Sequence, residues 1–385
     1  REEMYDKYTD ISIYLSYKKN MNKRIMLRRK RIYMVENITK LLLTIFAFIS
    51  IITTILIILS LLFESLPFFR EGRFFKLFSY GELWDPRSGH YNILPILVGT
   101  IMIVMFSCIL AIPLGLGSAV YLSEYASPRA RNTIKPILEI LAGIPSVVYG
   151  FFALLYITPF LKNNISWLAK IFLIVSTLFS LWMCYFTIKK ALERDKTKTK
   201  VTFYIIALLF GVVFLYEAIN FIKFYEMTGL LKVETFNVLS ASFAVGIMIT
   251  PLVASISEDA LKSVPSTLRE ASFGLGSTKY ETVIKVVIPA AISGIISSFI
   301  LGISRAIGET MIVAMAAGAK PVLNFNPLGQ IQTMTGYMVS KTFGEVVVGS
   351  LEYQTVFVVG LILFFITLSL NVIAKKIVDV YREEY

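Results

Sequence analysis

The sequence predicts an all-α protein that spans a membrane several times, and three observations lead to this class. Hydrophobic residues make up 56% of the 385 positions and charged residues only 17%, against about 25% in soluble domains. Several apolar runs reach about 20 residues, the length that a helix needs to cross the roughly 30 Å hydrocarbon core of a bilayer. These runs lack the alternation of barrel strands, and lipid allows only helices or closed barrels to span it.

Hydropathy along the chain indicates eight candidate transmembrane helices. They are about 38–63, 92–122, 136–161, 167–188, 201–222, 237–257, 289–317 and 351–374. The second run is longer than one crossing requires and contains Pro95 and Pro113, so a bend is expected there.

Basic residues indicate the orientation of these helices. Five basic segments lie between the apolar runs, and eight crossings put all five on one side of the membrane: 1–37, 129–135, 189–200, 262–285 and 375–376. Because basic loops stay in the cytoplasm, both termini are predicted to be cytoplasmic. The segments expected outside are 64–91, a short turn at 162–166, 223–236 and 318–350.

Charge and cysteine usage exclude several functions. The net charge of +12 could suggest nucleic-acid binding, but the Lys and Arg residues flank apolar runs, as topology signals do. Cys108 and Cys184 both fall within predicted spans, and His90 is the only histidine. We therefore expect neither a disulfide framework nor a metal site. The spans also lack the Ser/His pair or paired carboxylates of an intramembrane enzyme, so no catalytic residue is predicted.

The cytoplasmic segment 258–288, between the sixth and seventh predicted spans, carries a spaced pattern. The run 270–272, Glu-Ala-Ser, is followed by three residues, Gly276, nine residues and then 286–289, Val-Val-Ile-Pro. Taken singly, Gly276 and Pro289 are what a helix end and a helix start often contain. A short surface helix that stops at Gly276, followed by a second helix, is expected.

This pattern resembles the permease subunits of binding-protein-dependent ABC importers, whose signature is Glu-Ala-Ala, three residues, Gly, nine residues and Ile-x-Leu-Pro. The chain departs conservatively, with Ser272 for the second Ala, Val286 for Ile and Ile288 for Leu. The resemblance implies a MetI-like permease core of six spans and a short helix that docks on an ATP-binding subunit. We expect four residues to form this ATPase-coupling contact: Glu270, Ala271 and Gly276 of the signature, and Phe273 as an apolar residue that packs in the groove of the ATPase.

Two opposite charges interrupt the next apolar run. Arg305 and Glu309 lie four residues apart, so on one helix they would share a face. A charged side chain within a membrane-spanning run costs at least roughly 2.5–3.5 kcal/mol of insertion free energy. Such residues normally face a bundle interior or a water-filled path. Arg305 offers a fork suited to an oxyanion, and Glu309 could neutralise it when no substrate is present. The residues alone leave a second interpretation open, a self-neutralising pair that fixes helix packing.

The run 305–310, Arg-Ala-Ile-Gly-Glu-Thr, resembles the corresponding helix of the phosphate-specific transport (Pst) permeases, and the following 311–313, Met-Ile-Val, resembles the PstC type more than PstA. A second agreement is 144–150, Ile-Pro-Ser-Val-Val-Tyr-Gly. The resemblance implies that phosphate passes Arg305 and Glu309.

Ser146 and Tyr149 are candidate path-lining residues within the second agreement, although helix packing explains them equally well. The resemblance covers about 38–162 and 237–376, so the two predicted helices between these ranges have no counterpart in the family pattern. We therefore divide the chain into four parts: a cytoplasmic basic N-terminal segment at 1–37, the first part of the permease core with three spans at 38–162, an inserted two-helix segment at 163–236, and the second part of the core at 237–385, which includes the coupling segment 258–288.

The sequence contains no phosphate-binding loop pattern, so the chain is predicted not to be an enzyme and to bind no cofactor of its own. ATP and Mg²⁺ are expected to be used by partner subunits. The resemblance implies a PstA-like second permease, two ATP-binding subunits and an extracellular or periplasmic phosphate-binding protein, assembled in the bacterial plasma (inner) membrane. Two alternatives remain open: a permease for another oxyanion such as sulfate or molybdate, and a non-transporting channel or scaffold.

Overall fold

The computed structural model describes the chain over 2–78, 81, 83–192, 197–229, 231–344 and 346–380. The centre of the predicted basic turn, 193–196, and the end of the predicted last part, 381–385, lie outside these residues. The chain forms two compact units, one up to Glu64 and one from Ser65 onward.

The described part of the first unit is helical and belongs to α1, Glu2–Arg70, whose last residues, 65–70, fall in the second unit. The stretch Tyr33–Arg70 of this helix is long and apolar enough to cross a membrane. Large apolar side chains from Tyr33 to Phe63 are exposed around the helix. A helix that is apolar on all sides is typical of a membrane span, which agrees with the predicted span at 38–63.

The second unit contains the remaining elements, which are almost entirely helical. In chain order they are α2 Leu94–Val120, α3 Pro128–Gly143, α4 Ser146–Phe152, α5 Thr158–Leu192, α6 Thr197–Ile219, α7 Phe221–Thr228, α8 Val238–Ser263, α9 Ser266–Gly274, α10 Lys279–Thr282, α11 Ile288–Ala290, α12 Ile292–Ile307, α13 Met311–Ala316, α14 Met334–Thr342 and α15 Leu351–Val380. Single π-helical turns follow α2, α4 and α10, at Tyr121–Tyr125, Ala153–Ile157 and Val283–Val287. Two short strands, β1 Trp84–Asp85 and β2 His90–Tyr91, pair antiparallel.

Several of these helices are long and apolar enough to cross a membrane. Within the described residues there are five, or six if a bent pair counts as one: Tyr33–Arg70, Leu94–Tyr125, Ser146–Lys190, Val238–Ser263, Leu351–Asp379, and Lys279–Ala290 with Ile292–Ile307, which meet at 71°. The predicted class, an all-α multi-pass membrane protein, is confirmed. The number of spans differs from the predicted eight at two places.

The first difference lies at the predicted third and fourth spans, 136–161 and 167–188. The expected turn at 162–166 is not formed, because Ser146–Lys190 is one continuous helix of 45 residues. This helix contains one Gly, Gly150, and one Pro, Pro159, which follows the π-helical turn Ala153–Ile157, and the stretch 162–166 contains neither residue type. At 1.5 Å per residue it is about 67 Å long, more than twice the thickness of a hydrocarbon core.

The second difference concerns the predicted span at 201–222. This predicted span is divided between α6, Thr197–Ile219, and α7, Phe221–Thr228, and the apolar stretch found among the described residues is Tyr204–Tyr216. α6 packs along the second half of α5, where the rings of Phe179 and Phe210 lie 6.4 Å apart. Lys162 Nζ donates to Thr235 Oγ1 at 2.9 Å. This hydrogen bond brings the two ends of the predicted insertion 163–236 close together, and the division of the chain at these ends stays a prediction.

α8 lies at the centre of the second unit and packs closely against α2. A Cβ atom on Gly246 would lie only 3.1 Å from the Ser107 carbonyl oxygen, and one on Gly115 only 2.7 Å from Val253. Such small residues allow helix backbones in a membrane to approach each other and gain dispersion contacts. α8 also contacts α12, α3, α13 and α4, so it connects both candidate regions described below.

Candidate functional site

The predicted span 289–317 is not one helix, and this changes the relation between its two charges. α12 ends at Ile307, residues 308–310 are non-helical, and α13 begins at Met311. Glu309 Oε1 accepts hydrogen bonds from the backbone N–H groups of Met311, at 3.1 Å, and Ile312, at 3.2 Å. A side chain that satisfies the free donors of a new helix start stabilises the break.

Glu309 is therefore not the partner of Arg305. The expectation that the two residues share a face of one helix is wrong, since Glu309 follows the end of α12. It is only 9% exposed, and its backbone carbonyl accepts a 2.7 Å hydrogen bond from Thr335 Oγ1. The self-neutralising pair, the second interpretation of the sequence, is not formed.

Arg305 lies in the last turn of α12 with an exposed side chain. Among the described residues, no carboxylate lies within the 4.0 Å of an ion pair and no group forms a hydrogen bond with its guanidinium. The neighbouring Ser304 Oγ donates to Asn371 Oδ1 on α15 at 3.1 Å. The structure thus presents a positive charge in one helix of a bent candidate span, beside a polar contact and without a counter-ion among the described residues.

Tyr149 is buried, at 6% exposure, and its hydroxyl donates to the Leu141 carbonyl oxygen at 2.8 Å, close to the end of α3. It lies near enough to Arg305 for an electrostatic interaction. The adjacent Gly150 has no room for a side chain, because a Cβ atom there would lie 3.3 Å from the Ile312 Cα atom. α4 therefore packs on the helix that Glu309 caps, so Arg305, Glu309 and Tyr149 belong to one region.

Ser146 is the first residue of α4 and is partly exposed. Sequence reasoning placed it inside a span from 136 to 161, but the chain is interrupted at Ile144 and Pro145, between α3 and α4. The proline has no N–H to continue the α3 ladder, and the residue before it is extended. α3 spans Pro128–Gly143 and is not among the described helices that are long and apolar enough to cross a membrane, so the candidate span begins at Ser146 and not at 136.

The coupling segment has the predicted form of a short helix that stops at Gly276. α9 ends at Gly274, Gly276 has a φ of +83°, and the N–H groups of Gly276 and Ser277 donate to the carbonyls of Phe273, at 2.9 Å, and Ser272, at 3.2 Å. This pair of bonds is a Schellman C-cap, in which a positive φ favours glycine. Thr278 then forms a capping box with Glu281 and starts α10.

The four predicted coupling residues share one property, exposure. They are Glu270, Ala271, Phe273 and Gly276. Leu275 is 88% exposed and Tyr280 67% exposed on the same segment. Exposed apolar side chains around a rigid turn form a surface that a partner protein can cover.

Ser272, the departure from the signature, has a role that sequence reasoning missed. Its hydroxyl shares a hydrogen bond of 2.9 Å with Thr282 Oγ1, and both residues are buried. The bond ties α9 to α10 across the Gly276 turn. A polar residue at a position where the signature has alanine was the signal for it.

We expect Ser272→Ala to loosen this turn, because Thr282 would keep a buried hydroxyl without its partner. The loss is worth about 1 kcal/mol, which is roughly a fivefold increase in local opening. Amide hydrogen exchange over 272–283 in the purified protein measures it. Ser277→Ala is the matched control, since the Ser277 hydroxyl has no hydrogen-bond partner among the described residues. Equal exchange in the two variants would contradict the assignment.

A buried carboxylate near the C-terminal end of α8 was also missed. Glu258 is 1% exposed and lies within ion-pair distance of three cations, at 2.5 Å from Lys262, 3.4 Å from Lys135 and 3.9 Å from Arg131. Burial alone would lower the pKa of Lys135, but the carboxylates of Glu258 and Asp259 outweigh it and raise the pKa, so the ammonium stays charged. Basic residues interpreted only as orientation signals thus also join α3 to α8.

Comparisons with known proteins gave a family match and several similar proteins. Residues 200–381 match the family of binding-protein-dependent transport system inner membrane components. Among relatives, the phosphate transport system permease protein PstC of Xylella fastidiosa strain 9a5c is 28% identical over 77% of this chain and 77% of its own length. PstC of Haemophilus influenzae is 26% identical over 92% of this chain and 97% of its own. Among solved structures, the inward-facing MetNI methionine ABC transporter aligns with a TM-score of 0.41 and 17% identity, over 76% of this chain and 94% of that one.

Proposed function

We propose that this chain, which belongs to the permeases of binding-protein-dependent ABC importers, forms one half of the membrane path of an ATP-driven importer of inorganic phosphate. The observation that carries the proposal is the guanidinium of Arg305, which has no hydrogen bond or ion pair with the described residues and lies in one helix of a bent candidate span. A charge in this position costs at least roughly 2.5–3.5 kcal/mol, so it is retained where it contacts water or an ion path.

A phosphate ion fits the chemistry of Arg305 because a planar guanidinium binds two phosphate oxygens at once through parallel hydrogen bonds. The Glu309 carboxylate does not pair with the Arg305 guanidinium, because it accepts hydrogen bonds from the N–H groups at the start of α13. The Arg305 charge is therefore available to an anion and is not consumed by an internal pair. The relatives named as phosphate transport permeases support phosphate over another oxyanion.

The exposed coupling surface supports a division of labour between subunits. Glu270, Ala271, Phe273 and Gly276 would meet an ATP-binding subunit, with Phe273, at 46% exposure, in its groove. That subunit would bind ATP and Mg²⁺ and hydrolyse the nucleotide, because the sequence of this chain contains no phosphate-binding loop pattern. A PstA-like permease would complete the path, and a phosphate-binding protein would deliver the ion from outside. We place the assembly in the bacterial plasma membrane, with both termini in the cytoplasm.

Reconstitution tests this function directly. The complex is purified with its ATP-binding subunits and binding protein, inserted into liposomes, and supplied with labelled phosphate in the presence and absence of ATP. We expect ATP-dependent phosphate uptake that excess unlabelled phosphate abolishes and that excess sulfate or molybdate leaves intact. Equal competition by sulfate or molybdate would favour the other-oxyanion permease. A complex that binds no ATPase, or that moves no anion, would favour the channel or scaffold.

A further inference from the structure

Arg269, the residue before the coupling signature, joins the coupling helix α9 to two membrane spans. Its Nη1 donates to the Val264 carbonyl at 2.6 Å, and its Nη2 donates to the Leu261 carbonyl at 2.8 Å. The same Nη2 contacts Glu124 Oε1 at 3.0 Å. Leu261 lies in the last turn of α8 and Glu124 in the π-helical turn that ends the second span.

The setting of Arg269 makes these contacts strong. Its side chain is 19% exposed and that of Glu124 is 10% exposed, so water competes little for either group. The carbonyls at the end of α8 have no partner within their own helix, and a cation satisfies them and favours the negative end of the helix dipole. One guanidinium therefore fastens α9 to the ends of α2 and α8 at the same time.

A second connection runs from α9 to α12 along the chain itself. The Ser272–Thr282 bond holds α10, and α10 continues through α11 towards α12. However, the stretch Lys279–Ala290 meets Ile292–Ile307 at an angle of 71°. A displacement along the first stretch is therefore not directed along the axis of α12, so this connection alone transmits movement to Arg305 poorly.

The connection through α8 has no such bend. α8 and α12 touch along a row of small residues, where a Cβ atom on Gly294 would lie 2.4 Å from Ala260 Cβ. Further along, the buried hydroxyls of Ser257 and Ser298 share a 2.7 Å hydrogen bond. Packed interfaces of this kind shift as units and do not deform continuously, so α8 would carry α12 with it.

We propose that Arg269 is the positioning residue through which movement of the coupling helix reaches α2 and α8, and through α8 the helix that carries Arg305. The inference rests on the proposed function in one respect, that an ATP-binding subunit displaces α9. It adds a residue outside the signature, with Glu124 as its partner, and it makes α2 and α8 the first spans to respond.

The test uses the assembled complex in lipid with three variants: Arg269→Gln, Arg269→Lys and Glu124→Gln. Lys285→Gln is the matched control, since Lys285 forms an exposed ion pair with Glu281 at 3.2 Å on the adjacent segment. We expect Arg269→Gln to keep its ATPase partner and its basal ATP hydrolysis but to lose transport per ATP by on the order of tenfold, within the usual range of coupling free energies. Arg269→Lys retains the charge facing Glu124 without the fork and should fall between wild type and Arg269→Gln.

A second measurement needs no phosphate, so it remains informative if the proposed substrate is wrong. Spin labels at Thr267→Cys on α9 and Ile109→Cys on α2, with Cys108 and Cys184 replaced by Ser, report the distance between the two helices. Thr267 and Ile109 are both exposed. With Arg269 present, the distance distribution should stay narrow and unchanged between nucleotide-free and ATP-bound complexes. With Arg269→Gln it should broaden and should shift when ATP binds.

Two results would overturn the inference. One is an Arg269→Gln complex whose transport per ATP and label distances match the wild type. The other is a loss of transport per ATP in Lys285→Gln as large as that in Arg269→Gln, because such a loss would assign the effect to general loosening of the segment. A wild-type complex that hydrolyses ATP but carries no phosphate would contradict the proposed substrate. The label distances in the wild type and in Arg269→Gln would still support or overturn the role of Arg269.

Discussion

Arg305→Gln is expected to lower ATP-driven phosphate uptake about 10- to 100-fold while the complex still assembles. The variant removes a charge-assisted hydrogen-bond donor, which is worth about 1.5–3 kcal/mol, and about 1.4 kcal/mol corresponds to a factor of ten. Assembly should survive, because Arg305 is exposed and has no hydrogen bond or ion pair with the described part of this chain. Labelled phosphate uptake by the reconstituted complex, with co-purification as the assembly check, measures the effect.

Two further variants sharpen the Arg305 experiment. Arg305→Lys keeps the charge but loses the planar fork, so intermediate uptake is expected. Lys320→Gln removes an exposed cation from the predicted outer segment 318–350 and should leave uptake within a factor of about two. If Arg305→Gln retained full uptake, the residue would be structural, and the assignment of phosphate would rest on the relatives alone.

Gly276→Asp is expected to weaken binding of the ATP-binding subunit by two orders of magnitude or more. Gly276 is exposed on the coupling surface, and nothing lies within 4 Å of the position that a Cβ atom would take. The new carboxylate would therefore fit the free chain but would be buried without a partner on docking, which costs about 3–5 kcal/mol. Co-purification and the measured affinity of the permease for its ATPase report the loss.

Gly276→Asn is the matched control for this variant. Both Asn and Asp tolerate a positive φ better than other residues do, so the two variants bear a similar backbone cost at the φ of +83°. They differ mainly in charge, and Asn should retain most of the binding. Normal ATPase association and full transport in Gly276→Asp would contradict the coupling assignment. Equal losses in both variants would assign the effect to backbone strain and not to docking.

The coupling segment illustrates what a sequence can predict correctly. The stop at Gly276 follows from short-range rules, because a C-cap is formed by carbonyls and N–H groups fewer than six residues apart. The exposure of Phe273 follows from the polar composition of a segment between spans. The class of the protein follows from hydropathy, since apolar runs of span length have one stable environment.

The spans themselves show where local reasoning fails. The polar residues at 162–166 suggested a turn. This stretch contains neither Gly nor Pro, and polar side chains alone do not break a helix, so Ser146–Lys190 is continuous. At 308–310 the opposite occurred: an apolar run predicted one helix, and the carboxylate of Glu309 stabilised a new helix start within it. A hydropathy window averages over about 19 residues and does not detect either event.

The sequence by itself determined the membrane class, the position and stop of the coupling helix, and the presence of a costly charge at Arg305. Only the tertiary structure decided which groups the polar and charged side chains of the two candidate regions contact. Glu309 faces the start of α13 and not Arg305, Ser272 meets Thr282, and Arg269 meets Glu124, 145 positions earlier in the chain. Local backbone rules act over a few residues, whereas partners that lie far apart in sequence are set by how the spans pack, and that packing depends on close contacts between small residues that no single segment specifies.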